Sequence, residues 1–280
     1  MPSFRGHLIT AEPIVYAPER AGRPNAFGTE EVDVCPFCPG NEAMTPAEIE
    51  RAGDPWRVRV FPNKYPAVAG HEVITESAVH HDSFDAIAHA PEVVATYVRR
   101  YRAHRQAAYI SIFTNEGRRA GASIDHLHSQ LMPLPFVPPR VARERAAFAA
   151  AERCPLCAAL DHHRREGLVA GEDPLFTRIA PWGSSHPFEQ WIVPGRHLPE
   201  IDRMSAEEME GLAGALQQAV RGVRGVAGAY NVLFMNFPEE EKAHFYLAVV
   251  ARLSALGGFE LATGTLIDVI DPAAAARALR

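Results

Sequence analysis

The fold is decided by the stretch Asn115-Glu116-Gly117-Arg118-Arg119-Ala120-Gly121-Ala122-Ser123-Ile124-Asp125-His126-Leu127-His128-Ser129-Gln130. It follows an apolar, strand-like run over 109–114, and its glycines permit sharp turns that bring backbone N–H groups close to an anion. Because side chains alternate along a strand, His126, His128 and Gln130 are predicted to share one face. The stretch is therefore predicted to place two imidazoles and an amide beside a phosphate-binding turn.

Two Cys-x-x-Cys pairs lie outside this stretch, Cys35-Pro36-Phe37-Cys38 and Cys154-Pro155-Leu156-Cys157. The N-terminal residues have no apolar core of a secretion signal, so a disulfide framework is not expected, and metal binding or redox chemistry remain as candidates. Proline inside each pair favours the tight knuckle of a tetrahedral zinc site over a redox pair at a helix start.

The cysteines and histidines recur at a nearly constant spacing. Cys35 and Cys154 are 119 residues apart, and two histidine pairs are 117 and 118 residues apart. Two copies of one domain are therefore predicted, over residues 1–140 and 150–280. Each copy offers the two thiols and two imidazoles of a zinc site. The predicted ligands are Cys35, Cys38, His80 and His126 in the first copy and Cys154, Cys157, His197 and His244 in the second.

Two alternatives accompany this ligand assignment. His81 is one place outside the repeat register, so His80 is preferred as the ligand. The other alternative is that the cysteines are reduced core residues beside incidental histidines. The recurrence of all four positions argues against it.

The two copies differ where chemistry is expected. His126 is followed two places on by His128, whereas His244 is followed by Tyr246. A neutral imidazole is a competent nucleophile toward phosphorus, and a metal at His126 would fix the strand that carries His128. Asn115, Gly117 and Ser123 are predicted to hold phosphate oxygens, and Gln130 is predicted to donate a hydrogen bond to the phosphoryl group.

The composition of the chain and one helix motif support further predictions. A net charge of −6 over 280 residues argues against a general nucleic-acid binder. No apolar run reaches membrane-spanning length, so a cytoplasmic protein without a membrane partner is expected. Ser205-Ala206-Glu207-Glu208 has the form of a capping box, which predicts a helix to about Arg224. Its apolar face is predicted to enter the core.

The opening stretch resembles the active-site motif of the nucleotidyltransferase branch of the histidine-triad superfamily, Asn-x-Gly-x-x-x-Gly-x-Ser-x-x-His-x-His-x-Gln. The matching residues are Asn115, Gly117, Gly121, Ser123, His126, His128 and Gln130. The hydrolases of the superfamily carry a third histidine in place of Gln130. The resemblance implies an α+β fold, namely a tandem pair of histidine-triad domains, each an antiparallel sheet with helices. It also implies a homodimer, with the nucleophile only in the first domain.

Other segments are similar to galactose-1-phosphate uridylyltransferases. Residues 17–24 resemble their nucleotide-contacting arginine segment, which implies roles for Arg20 and Arg23. Residues 60–66 resemble the strand whose asparagine, here Asn63, contacts the nucleotide, and Glu260 matches a sugar-side position. Residues 126–139 and 257–264 look closer to the ADP-sugar phosphorylases of plants.

The family resemblance implies a ping-pong reaction in carbohydrate metabolism, such as galactose metabolism. His128 would attack the α-phosphorus of a nucleoside-diphosphate sugar and then pass the nucleotide to an acceptor. A sugar 1-phosphate acceptor defines a uridylyltransferase, which is the predicted activity, and inorganic phosphate defines an ADP-glucose-type phosphorylase, which is the alternative. A zinc-stabilised nucleotide-binding module without turnover is the alternative from another class.

Overall fold

A computed structural model describes residues 2–6, 8–22 and 34–280. Within these residues the strands are β1 (Ser3–Gly6), β2 (Pro13–Tyr16), β3 (Glu50–Ala52), β4 (Val58–Pro62), β5 (Glu72–Thr75), β6 (Tyr109–Glu116), β7 (His128–Leu134), β8 (Val169–Glu172), β9 (Phe176–Ile179), β10 (Gln190–Pro194), β11 (Tyr230–Met235) and β12 (Tyr246–Ala251). The α-helices are α1 (Ala90–Ala103), α2 (Pro139–Ala150), α3 (Pro155–Arg165), α4 (Ala206–Val226), α5 (Gly258–Thr263) and α6 (Pro272–Ala278).

One antiparallel sheet runs through both halves of the sequence, in the order β3-β4-β5-β7-β6-β11-β12-β10-β9-β8. The order within the first half, read outward from β6, is repeated in the second half outward from β11. The halves join where β6 pairs with β11, for example at Phe113 and Leu233. The predicted α+β class with antiparallel strands is confirmed. The division into two domains at 1–140 and 150–280 stays a prediction, since the sheet is continuous.

Helices α1 and α4 cover one face of this sheet. Val94 and Tyr97 of α1 and Leu212 and Leu216 of α4 belong to one buried core cluster with alternate residues of the central strands. Helix α4 begins with the predicted capping box, because the Ser205 hydroxyl accepts from the N3 backbone and the N3 carboxylate accepts in return.

The opposite face is covered unequally. Residues of α2 and α3, including Phe148 and Leu160, pack there against Tyr246 and Ala248 of β12. Beside β4, β5 and β7 a smaller cluster contains Phe37, Phe61 and Val73. This part of the face in the first half carries the pocket described below.

Two further observations concern the position of His126 and the predicted absence of a membrane-spanning segment. Strand β7 begins at His128, so His126 lies just before the strand rather than within it. No helix in the described parts of the chain is long and apolar enough to cross a membrane.

Candidate active site and metal clusters

The four predicted ligands of the first half lie together. The Cys35 and Cys38 thiols are 3.5 Å and 3.7 Å from His126 Nδ1, and Cys38 Sγ is 3.2 Å from His80 Nδ1. His126 Nε2 donates to the Ser77 carbonyl at 2.8 Å, which leaves Nδ1 free to face the thiols.

The second half repeats this arrangement. His244 Nδ1 is 3.9 Å from Cys154 Sγ and 3.2 Å from Cys157 Sγ, and His197 Nδ1 is 3.4 Å from Cys157 Sγ. His197 Nε2 contacts the Glu241 carbonyl at 3.1 Å. None of the four cysteines of the chain is in a disulfide.

Both clusters fit a tetrahedral metal ion. Within each cluster the four ligand atoms all lie within 4.8 Å of one another. Zinc bonds of about 2.0–2.3 Å in a tetrahedron separate neighbouring ligand atoms by about 3.3–3.8 Å. Burial raises the pKa of the Cys35 thiol to about 11, and a bound cation would stabilise the thiolate instead. The structure thus places His80, rather than His81, in the cluster. The His81 ring is instead 3.7 Å from the exposed carboxylate of Asp125.

A pocket opens directly beside the first cluster. It brings together five residues for which the sequence predicted a role, Arg20, Asn63, Ser123, His128 and Gln130. The other residues that line it are Val34, Pro36, Phe37, Met44, Thr45, Pro46, Phe61, Lys64, Tyr65, Val73 and Ile124. The Phe37 ring lies 5.2 Å from the His128 ring and 6.0 Å from the His126 ring, so one residue of the cysteine knuckle contacts both imidazoles.

The His128 ring is oriented by the main chain. Its Nδ1 lies 2.6 Å from the carbonyl oxygen of His126, and because a carbonyl only accepts, Nδ1 carries the proton. The Nε2 atom of the neutral ring therefore carries the lone pair. Burial lowers the pKa of His128 below its usual value, which favours this neutral form.

Gln130 is held by a histidine that the sequence analysis did not identify. His71 Nε2 is 3.0 Å from Gln130 Oε1, and His71 Nδ1 accepts from the Ala67 N–H at 3.1 Å. Asn63 lies beside them, with its Oδ1 accepting from the Tyr65 N–H at 2.8 Å. The sequence places His71 immediately before a strand, β5, but its partner Gln130 lies 59 residues away on β7. The contact between them is therefore not visible in the local sequence.

The loop between β6 and β7 depends on two glycines. Gly117 and Gly121 have φ of +79° and +89°, which disfavour a side chain, and a Cβ at Gly117 would lie 2.9 Å from the Ala229 Cβ. Asn231 of β11 donates to Asn115 Oδ1 at 2.8 Å and to the Ala120 carbonyl at 2.9 Å. The second half thus anchors the turn of the first, through an asparagine that the sequence analysis did not single out.

Of the predicted binding residues that the structure describes, four do not line the pocket. Asn115 lies near the end of β6, and Gly117 and Gly121 lie in the loop that follows it. Glu260 lies in α5, where its carboxylate accepts from the Gly257 N–H at 3.0 Å, and it does not line this pocket. Arg23 lies outside the described residues. Arg20 does line the pocket, and its guanidinium donates to the Tyr65 carbonyl at 2.7 Å.

A buried acid lies behind β7, on the face opposite the pocket. Glu76 accepts from Tyr97 Oη at 2.5 Å and from the Ser129 hydroxyl, which is also 2.6 Å from Thr114 Oγ1. Complete burial raises the pKa of Glu76 to about 7. The strand that carries His128 and Gln130 is therefore held from behind by a polar network.

The whole chain is similar in sequence to known proteins. A family model described as a domain of unknown function, DUF4921, matches residues 69–279. ADP-glucose phosphorylase from Arabidopsis thaliana is 29% identical over all of this chain and 92% of that protein. Galactose-1-phosphate uridylyltransferase from Thermotoga maritima is 25% identical over all of this chain and 98% of that protein.

Solved structures give the same result. The crystal structure of the Arabidopsis thaliana ADP-glucose phosphorylase with bound ADP-glucose matches with a TM-score of 0.80 and 29% identity, over 100% of this chain and 99% of that chain. A uridylyltransferase structure matches with a TM-score of 0.84 over 100% of this chain and 97% of that chain, at 23% identity, and this match shows a shared fold. The predicted resemblance to uridylyltransferases and ADP-sugar phosphorylases is confirmed.

Proposed function

The chain belongs to the DUF4921 family and is homologous to galactose-1-phosphate uridylyltransferases and ADP-glucose phosphorylase, and from this premise we propose that it transfers a nucleoside monophosphate from a nucleoside-diphosphate sugar through a nucleotidyl-histidine. The observation that carries the proposal is the fixed tautomer of His128, a residue of the pocket wall. An imidazole that already donates through Nδ1 offers Nε2 as its nucleophilic atom.

In the first half-reaction, His128 Nε2 attacks the α-phosphorus. A phosphorus–nitrogen bond forms, and the bond from the α-phosphorus to the oxygen that bridges to the β-phosphorus breaks. The electron pair leaves on that oxygen with the sugar 1-phosphate. In the second half-reaction, an oxygen of an acceptor phosphate attacks the same phosphorus, and the phosphorus–nitrogen bond breaks to restore neutral His128.

Hydrogen-bond donors around His128 would stabilise the charge on the phosphoryl oxygens. Ser123 and Gln130 line the same pocket as His128, and both carry side-chain donors. Asn115, Gly117 and Gly121 form the preceding turn and would contribute through its shape. The Gln130 amide titrates neither as an acid nor as a base, so its role is to bind and orient the phosphoryl group.

The rest of the pocket suits a nucleoside. Phe61 and Phe37 offer apolar ring surface to a base, with ring centroids 5.4 Å apart. Asn63 presents an amide group and Arg20 a cation. Arg23 and Glu260 remain proposed contacts of the nucleotide and the sugar.

We propose structural zinc in both Cys₂His₂ clusters. The thiol and imidazole donors match the preference of zinc, and such closed sites contribute directly to folding. A metal held by His126 would fix the carbonyl that orients His128. All chemical steps are assigned to the pocket side chains.

For the substrates we propose ADP-glucose as donor and inorganic phosphate as acceptor, supported by 29% identity to ADP-glucose phosphorylase over the whole chain. The second candidate is uridylyl transfer to a hexose 1-phosphate, supported by 25% identity to a uridylyltransferase over the whole chain. Both share the first half-reaction.

The test is ³¹P NMR of two reaction mixtures. ADP-glucose with phosphate is expected to give ADP and glucose 1-phosphate, and UDP-glucose with galactose 1-phosphate should react more slowly. The opposite preference would favour the uridylyltransferase. Nucleotide binding without turnover of either mixture would favour the non-catalytic module. The His128→Ala variant serves as the control for contaminating activity.

We also propose a homodimer. The C-terminal segment carries large apolar side chains that are more than a third exposed, including Leu256, Phe259, Leu261 and Val269. A self-complementary interface would cover them. Light scattering is expected to give twice the chain mass, and a monomer at micromolar concentration would contradict the proposal.

A further inference from the structure

His71 lies at the entry to β5 and is 2% exposed. Its Nδ1 accepts from the Ala67 backbone N–H at 3.1 Å, so Nδ1 carries no proton. Burial lowers the pKa of His71 to about 4, which keeps the ring neutral near pH 7. The ring proton therefore resides on Nε2.

Among the described residues, the suitable acceptor for the Nε2–H of His71 is the amide oxygen of Gln130 at 3.0 Å. The other neighbour, Asn63 Nδ2 at 3.3 Å, is itself a donor because the Asn63 oxygen already accepts from Tyr65. An amide whose oxygen is held in this way turns its NH₂ group to the other side. For Gln130, a pocket-lining residue, the NH₂ group is then the end left for a ligand.

We propose that His71 is a positioning residue that locks the Gln130 amide with its NH₂ group toward the phosphoryl group on His128. The proposal rests on the proposed function. A reversed amide would present its oxygen to phosphoryl oxygens, and two acceptors repel where a donor stabilises the transition state. His71 acts through Gln130 and not on the substrate.

Two matched variants isolate this role. His71→Gln and His71→Leu both lose the imidazole Nδ1 that accepts from the Ala67 N–H, but only the glutamine keeps a side-chain N–H that reaches toward Gln130. We expect His71→Leu to slow formation of the nucleotidyl-histidine about 30-fold. Without the contact to His71, the Gln130 amide is free to turn its hydrogen-bond donor away from the phosphoryl group. His71→Gln should remain within about fivefold of wild type, and zinc content and melting temperature should match between the two.

The decisive readout is a double-mutant cycle with Gln130→Ala, in which the single-turnover rate is measured with ADP-glucose by intact-protein mass spectrometry. In the Gln130→Ala background, His71→Leu is expected to cause no further slowing. An equal slowing in both backgrounds, an unchanged rate for His71→Leu, or a glutamine variant as slow as leucine would overturn the role of His71 while leaving the proposed function intact. No adduct on wild-type protein with ADP-glucose or with any other common nucleoside-diphosphate sugar would overturn both.

Discussion

The pocket faces of the two halves occupy matching positions of one sheet. Val73 pairs with Gln130 in the first half, and Trp191 pairs with Ala248 in the second, each residue being 118 positions from its counterpart. By the same register His128 corresponds to Tyr246. In the second half the Trp191 and Tyr246 rings stack at 4.4 Å, and Tyr246 Oη donates to Glu144 of α2 at 2.8 Å.

The Cys₂His₂ cluster is present in both halves, but the pocket positions have diverged. His71 corresponds by register to Glu189, which accepts from Trp191 Nε1 at 2.6 Å. The residue just before the equivalent strand thus contacts an amide in one half and a half-buried tryptophan in the other. The cluster is common to both halves, and the proposed chemistry depends on a few side chains of one sheet face.

The largest expected effect is on turnover, and it distinguishes substitution of His128 from substitution of its counterpart Tyr246. His128→Ala should lower turnover by at least about 10⁴-fold, because it removes the proposed nucleophile. Tyr246→Phe, which loses only the hydrogen bond to Glu144, should keep turnover within about threefold. Steady-state assays of both variants at equal zinc content check this, and an active His128→Ala would remove the proposed mechanism.

Val73 and Trp191 occupy matching positions in the two halves, so exchanging these two residue types tests how much of the difference between the halves this position explains. Val73→Trp should fill the nucleotide pocket and weaken ADP-glucose binding by about 100-fold, at a cost of about 1–3 kcal/mol in unfolding free energy. Trp191→Val should destabilise by about 3 kcal/mol through lost packing while leaving binding unchanged. Calorimetric titration and denaturant unfolding give the two quantities. Strong binding to Val73→Trp would show that the nucleotide lies elsewhere.

Substitutions in the two Cys₂His₂ clusters are expected to have an intermediate effect on turnover and stability. Cys35→Ala and Cys154→Ala should each remove about one zinc per chain and lower the melting temperature. Only Cys35→Ala should also reduce turnover strongly, because His126 orients His128 through its carbonyl. Elemental analysis with parallel rate assays tests this. Equal loss of turnover in both variants would contradict a purely structural second cluster.

The smallest effect concerns the buried acid behind β7. The pKa of Glu76 is raised to about 7 by burial, so the folded state binds its proton more tightly and stability falls as pH rises from about 4.5 to 7. Relative to Glu76→Gln, wild type should lose about 3 kcal/mol over this range. Tyr97, Ser129 and Glu116 are its polar and charged neighbours. Denaturant unfolding at several pH values measures the difference, and parallel curves would contradict the raised pKa.

Prediction from the sequence succeeded where a pattern was local or recurred. The eight predicted Cys and His ligands recur at matched spacing, and the structure gathers them into two clusters that could each hold a metal ion. Helix α4 followed from its capping box and apolar period. Three contacts depend on the register between distant strands: His71 with Gln130, Asn231 with Asn115, and Trp191 with Tyr246. A linear pattern does not contain that register.

The central claim is that His128 alone of the two corresponding positions carries the nucleotide. The direct test is intact-protein mass spectrometry after incubation with ADP-glucose without acceptor, on wild type, His128→Ala and Tyr246→Phe. Wild type and Tyr246→Phe are expected to gain the mass of one nucleoside monophosphate per chain, and His128→Ala is expected to gain none. An adduct that persists in His128→Ala, or its absence from wild type with every common nucleoside-diphosphate sugar, would contradict it.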